Sequence, residues 1–143
     1  MVQSLAIGAE LKPLVKHVTQ EKINMFEACG LRGEGTSNFH TDPDAAMRTI
    51  GLATPIASGR VQLSFVAEAL RKFFGTDVFD RSGKMDLRFV KPVVHGDVVT
   101  VSGQVASIED SGHGSSVTVE VRCENQKGER TSMGTAVALI PKK

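Results

Sequence analysis

Near residue 84 the apolar spacing of this chain changes from helical to alternating, and that change most restricts what the chain can fold into. Upstream, the segment Val61 to Phe74 places Leu63, Val66, Ala67, Leu70, Phe73 and Phe74 at helical intervals, a wide apolar stripe ended by Gly75. Downstream, Asp86-Leu87-Arg88-Phe89-Val90 alternates. Val98 to Val105 then sets Val99, Val101 and Val105 on one face, and Val117, Val119, Val121 and Cys123 alternate with Thr118, Glu120, Arg122 and Glu124. Turn clusters at 109–114 and 125–128 separate these runs from each other and from a last strand over about 131–140. Strands joined by short turns form an antiparallel meander with one apolar face, and a stripe as wide as that of 61–74 needs such a face to cover it. The predicted class is α+β, an antiparallel sheet wrapped around a long central helix.

Two shorter helices are expected before it. Thr19 caps a run over 20–29 that Gly30 stops. Asp42 is the N-cap and Pro43 the first helical residue of a run over 43–50 that ends at Gly51. A chain of 143 residues without repeats or low-complexity linkers is expected to form one domain, residues 1–143. Lys+Arg of 17 against Asp+Glu of 16 gives a formal charge of +1, no field to hold a polyanion, so neither nucleic acid nor a membrane is an expected partner. No stretch approaches the 18 or so apolar residues of a membrane helix, and Met1 to Glu10 lacks the pattern of a signal peptide. Cys29 and Cys123 are too far apart for a CxxC motif and too few for a disulfide framework. A cytoplasmic protein is expected, and no His/Cys/Asp/Glu set has metal-ligand spacing.

The chemistry-bearing residues fall in two segments, Thr36-Ser37-Asn38-Phe39-His40-Thr41-Asp42-Pro43 and Thr54-Pro55-Ile56-Ala57-Ser58-Gly59. His40 lies on an irregular loop, where an imidazole is a candidate general acid/base. Gly59 opens a helix whose free amides suit a carbonyl oxygen gaining negative charge. Ser58 is a candidate second donor through its hydroxyl, and Asn38, flanking the histidine, a candidate substrate contact. Asp42 is fully explained as a helix cap, Arg60 is expected to be a surface or ion-paired residue, and His17, His95 and His113 are assigned no chemistry.

These two segments, with Leu87-Arg88-Phe89-Val90-Lys91-Pro92-Val93-Val94-His95-Gly96-Asp97-Val98-Val99-Thr100-Val101, resemble the MaoC-type hydratases and dehydratases of hot-dog fold, over about Ile7 to Pro141. The resemblance implies addition of water to a trans-2-enoyl thioester, usually of coenzyme A, giving an (R)-3-hydroxyacyl thioester, or the reverse. In that family an Asp and a His in a pattern close to Asp-x-Asn-Pro-x-His share the reacting water, while an amide at the start of the central helix polarises the thioester carbonyl. Carried over, the His is His40 and the glycine Gly59. The Asp position falls on Gly35, the Asn position on Ser37, the Pro position on Asn38, and Ser58 stands where a His usually precedes the glycine. Glu34, one residue upstream of the vacancy and one methylene longer than Asp, is the candidate replacement carboxylate.

The leading expectation is therefore an enoyl-thioester hydratase or dehydratase with altered acid/base groups, needing no cofactor beyond its thioester substrate. The alternative is a catalytically silent acyl-thioester-binding or partner subunit of a hot-dog complex. A hot-dog thioesterase ranks last, because the Ile56 to Leu63 opening lacks the carboxylate it requires. A homodimer is expected, since one meander around one helix leaves open edge strands.

Overall fold

The computed structural model describes residues 5–29 and 38–142. In chain order the elements are β1 (Leu14–His17), α1 (Gln20–Ala28), α2 (Pro43–Ile50), α3 (Gly59–Phe74), α4 (Thr76–Ser82), β2 (Lys84–Phe89), β3 (Val98–Ser111), β4 (Gly114–Glu124) and β5 (Arg130–Pro141). The strands form one antiparallel sheet in the order β1-β3-β4-β5-β2. The meander β3-β4-β5 is its centre, and β1 and β2 are its edges. This is the predicted α+β hot-dog arrangement, with α3 against the sheet.

Alternation along the strands decides which face covers α3. Val99, Val101 and Val105 of β3, Val117, Val119, Val121 and Cys123 of β4, and Ala136 and Ala138 of β5 are all buried, as are Val61, Val66, Ala69, Leu70 and Phe74 of α3. Burial of a Val, Leu or Phe side chain contributes roughly 1.5–3 kcal/mol, so this contact dominates the stability of the domain. The buried line Gln62–Val66–Leu70–Phe74 follows the predicted stripe in part, whereas Leu63, Ala67 and Phe73 are half-buried at its margin. Gln62 enters this apolar line because it has a partner there: its side-chain oxygen accepts the Thr131 hydroxyl at 2.9 Å.

Three features differ from expectation. β1, a four-residue edge strand, was not anticipated, being too short for a periodic signal; it pairs with β3 through Leu14 to Val101 and His17 to Val98. β3 continues past Val105 to Ser111, with a register shift between Val105 and Ser107 that masks the alternation. The short helix α4 follows α3 directly after Gly75 (φ +91°), and its Phe79 stacks on Phe74 with ring centroids 6.5 Å apart. The two thiols diverge: Cys29 is exposed, and burial pushes the Cys123 thiol above its usual range.

The Gly96-Asp97 pair is structural. Gly96 takes φ +93°, a backbone geometry that favours glycine. The Asp97 carboxylate accepts from the Val94 amide at 2.9 Å and from the Gln126 side chain at 3.0 Å, fixing the turn before β3. That turn matters for the site, because it presents Val93 and Val94 to the segment leading into α3.

Candidate active site

Asn38 builds the loop that carries His40. Its side-chain oxygen accepts the His40 backbone N–H at 2.8 Å, and its carbonyl accepts the amides of Thr41 and Asp42 at 3.0 and 2.9 Å, closing a tight Asx turn. Asp42 then caps α2 through the Asp44 amide at 2.9 Å, as its Asp-Pro sequence predicts. From α1, the Gln20 side-chain amide donates to the His40 carbonyl at 3.0 Å.

The lead-in to α3 threads between this turn and the Val93–Val94 segment. The Ala57 amide donates to the Val93 carbonyl at 2.7 Å, the Ile56 amide donates to the Phe39 carbonyl at 3.3 Å, and Ile56 pairs with Val94 in an isolated bridge. The His40 ring, tilted 48° against the Phe39 ring with centroids 4.1 Å apart and only 9% exposed, places Nδ1 2.8 Å from the Ile56 carbonyl oxygen. A carbonyl only accepts, so Nδ1 carries the hydrogen and the lone pair of the neutral ring lies on Nε2. His40 thus has one nitrogen fixed to the scaffold and one left for chemistry.

Three residues beyond Ile56, a span of at most about 10 Å, α3 begins. Ser58 is its N-cap by backbone conformation but makes no side-chain cap bond. Among the described residues the Ser58 hydroxyl is buried without a partner, and so is the Asn38 side-chain NH₂ group. Both are donors, one at the start of α3, where the Val61 amide donates to the Ser58 carbonyl at 2.9 Å, and one in the histidine turn. Gly59 has a packing reason to be glycine as well: an added Cβ would lie 2.7 Å from Cε2 of the Phe89 ring, which covers the start of α3. The guanidinium of Arg60, the next residue, stands 5.9 Å from the centre of the Phe26 ring.

The fold therefore brings four of the predicted site residues, His40, Asn38, Ser58 and Gly59, to one end of α3. Glu34 and the vacant position Gly35 lie outside the described residues. Sequence reasoning missed Gln20, Ile56 and Phe89 as site residues. Ile56 acts through its backbone and Gln20 through a contact across elements, neither of which leaves a sequence signature; Phe89 was read only as part of a strand. Among the described residues, no group of three or more His, Cys, Asp or Glu side chains could hold a metal ion, and no helix is long and apolar enough to cross a membrane.

A sheet curled on a central helix, with a histidine turn bonded to that helix's lead-in, is the arrangement of a hot-dog protein. The chain belongs to the MaoC-like domain family, whose model matches residues 3–127. Among solved structures it is similar to a monoamine oxidase regulatory protein from Archaeoglobus fulgidus, at 28% identity and TM-score 0.81, covering 98% of this chain and 93% of that one. It is also similar to the (R)-hydratase of A. caviae involved in PHA biosynthesis, at 25% identity and TM-score 0.76, covering 98% and 100%. A third match, at 22% identity and TM-score 0.74 over 94% and 98% of the two chains, is to a chain of the ChsH1-ChsH2 complex of Mycobacterium tuberculosis and speaks to the fold alone. Curated protein sequences give no match.

Proposed function

We propose that this protein is a hydratase or dehydratase acting on enoyl or 3-hydroxyacyl thioesters, with coenzyme A as the carrier. The observation that carries this reading is the His40–Ile56 hydrogen bond, which leaves Nε2 unprotonated in the neutral ring and ties the imidazole to the residue three positions before α3. Attack of water on an enoyl thioester needs both features together. A base takes the water's proton while charge moves to the thioester oxygen, where helix-terminal amides and the hydroxyl of Ser58 stabilise it. In the reverse direction the same groups remove the C2 proton and expel the hydroxyl. The chemistry uses acid/base groups and hydrogen bonds, with the thioester as substrate and no cofactor, in a cytoplasmic setting.

Gly59 and Ser58 are assigned to the thioester carbonyl, Asn38 to a polar contact through its unpartnered NH₂ group, and His40 to proton transfer. Crotonyl-CoA with the purified protein tests the reading: the enoyl absorbance falls as the double bond is hydrated. A rate equal to the background without protein overturns it.

A second reading, a catalytically silent acyl-thioester-binding or partner subunit, is favoured by one observation. The family resemblance puts an Asp where this chain has Gly35, halving the usual proton-transfer pair. Under that reading crotonyl-CoA binds without turnover, and a second hot-dog chain copurifies.

A further inference from the structure

Glu27, in the last turn of α1, is 3% exposed, and among the described residues neither of its carboxylate oxygens has a hydrogen-bond partner. A carboxylate taken out of water without partners is among the costliest arrangements a folded chain can hold, and groups kept in that condition concentrate at functional sites. Its position on α1 says what it faces. Glu27 is about 20° around the helix from Gln20 and about 40° from Ile23. Gln20 donates to the His40 carbonyl at 3.0 Å, so that edge of α1 fronts the histidine turn. Ile23 and Phe26 instead line a cavity of about 220 Å³ with Val61, Ser64 and Phe65 of α3. Glu27 therefore lies on the side of α1 bracketed by the histidine turn and α3. The height is fixed as well: Phe26, its neighbour, packs under the Arg60 guanidinium, which places the last turn of α1 beside the first turn of α3.

We propose that Glu27 is the second acid/base group of the His40 site, the carboxyl that the pattern around Gly35 lacks; this rests on the hydratase reading above. In hydration the Nε2 lone pair of His40 takes a proton from water as the water oxygen bonds to C3. The C2=C3 π electrons move toward C2 and the thioester oxygen. Glu27 then delivers the proton that forms the new C2–H bond. The imidazolium returns its proton to the Glu27 carboxylate, so one water is consumed, both groups are restored and no external oxidant or base is needed. A buried carboxyl without protein partners suits this role, because no competing donor has to be displaced before the proton moves.

The test is crotonyl-CoA turnover and thermal melting of the wild type, Glu27→Gln and Glu27→Asp. Glu27→Gln keeps the shape but carries no transferable proton; it is expected to lower kcat about 10²- to 10⁴-fold with a melting temperature equal to or above wild type. Glu27→Asp is expected to keep part of the activity. An active wild type with Glu27→Gln within threefold of it overturns the inference and leaves the hydratase reading standing. An inactive wild type overturns both. Failure of both variants to fold, or a melting temperature falling in step with activity, makes Glu27 a structural residue and also overturns the proposal.

Discussion

The ring of Phe89 occupies the space that a side chain on Gly59 would need, with Cε2 2.7 Å from the ideal Cβ position. One glycine is thereby given two separable reasons to exist: a close contact with β2, and a backbone amide at the mouth of the site. Gly59→Ala keeps the amide and adds only the clash, which should cost about 1–3 kcal/mol in stability by overpacking. Gly59→Ala combined with Phe89→Ala should recover most of that loss in a urea melt. If the amide polarises the thioester, the double variant also keeps measurable turnover; a double variant no more stable than Gly59→Ala would mean Phe89 is not the constraint.

His40 can be divided in the same way. His40→Asn retains a side-chain N–H able to reach the Ile56 carbonyl but has no basic nitrogen, so the fold should persist while turnover falls about 10²- to 10⁴-fold. His40→Ala loses the bond too, and should in addition cost about 1 kcal/mol in thermal or denaturant unfolding. Equal turnover in His40→Asn and wild type would remove His40 from the mechanism.

What was legible in the sequence follows from what has a period or a cap. The α3 stripe, the alternation of β3 as far as Val105 and of β4 and β5, and the Asp42-Pro43 start of α2 are local patterns, and these elements form around those residues, although β3 runs on to Ser111. The edge strand β1 has four residues and derives its structure from pairing with β3, so nothing local announces it. At the site, His40, Asn38, Ser58 and Gly59 were visible as residue types in two short segments. The partners that orient them were not, because the Ile56 carbonyl and the Gln20 side chain act across the fold. Glu27 was hidden for a related reason: within an amphipathic helix an acidic residue looks like a solvated charge until the helix is packed.

A pH effect follows from the far end of β1. Lys16 of that edge strand forms a 2.5 Å ion pair with Glu68 of α3, and Lys72 adds a second at 3.2 Å. The Lys16 hydrogen bond leads the causes that hold the Glu68 carboxyl below its ordinary value of 4.5. A carboxyl depressed on folding stabilises the native state above its unfolded value and loses that contribution as pH falls through the folded value. The loss therefore begins near pH 4.5 and continues below it. The Glu68 side chain is 37% exposed, so solvent screening limits the effect to under about 1 kcal/mol. Glu68→Gln should flatten the acid limb of the stability–pH curve by that amount and leave stability at neutral pH lower by the same amount; an unchanged acid limb would show that the pair contributes nothing.

The last prediction concerns the β2 edge. Among the described residues β2 has no strand beside it apart from β5, and at its end Phe89 and Val90 are 46% and 49% exposed although Phe89 also covers the start of α3. The opposite edge, β1, ends instead in Lys16 and His17. An unpaired strand with large apolar groups is a liability that a two-fold pairing removes, and the second copy would then close over the Gly59 end of the site. We expect a homodimer joined along β2. Val90→Asp would place a charge on each side of such an interface while leaving the Phe89–Gly59 contact in place, and should convert a dimer to a monomer in light scattering at micromolar protein. If the Gly59 end of α3 binds the thioester, the monomer should also bind crotonyl-CoA more weakly. A wild type that scatters as a monomer, or a variant that stays dimeric, would place the contact elsewhere.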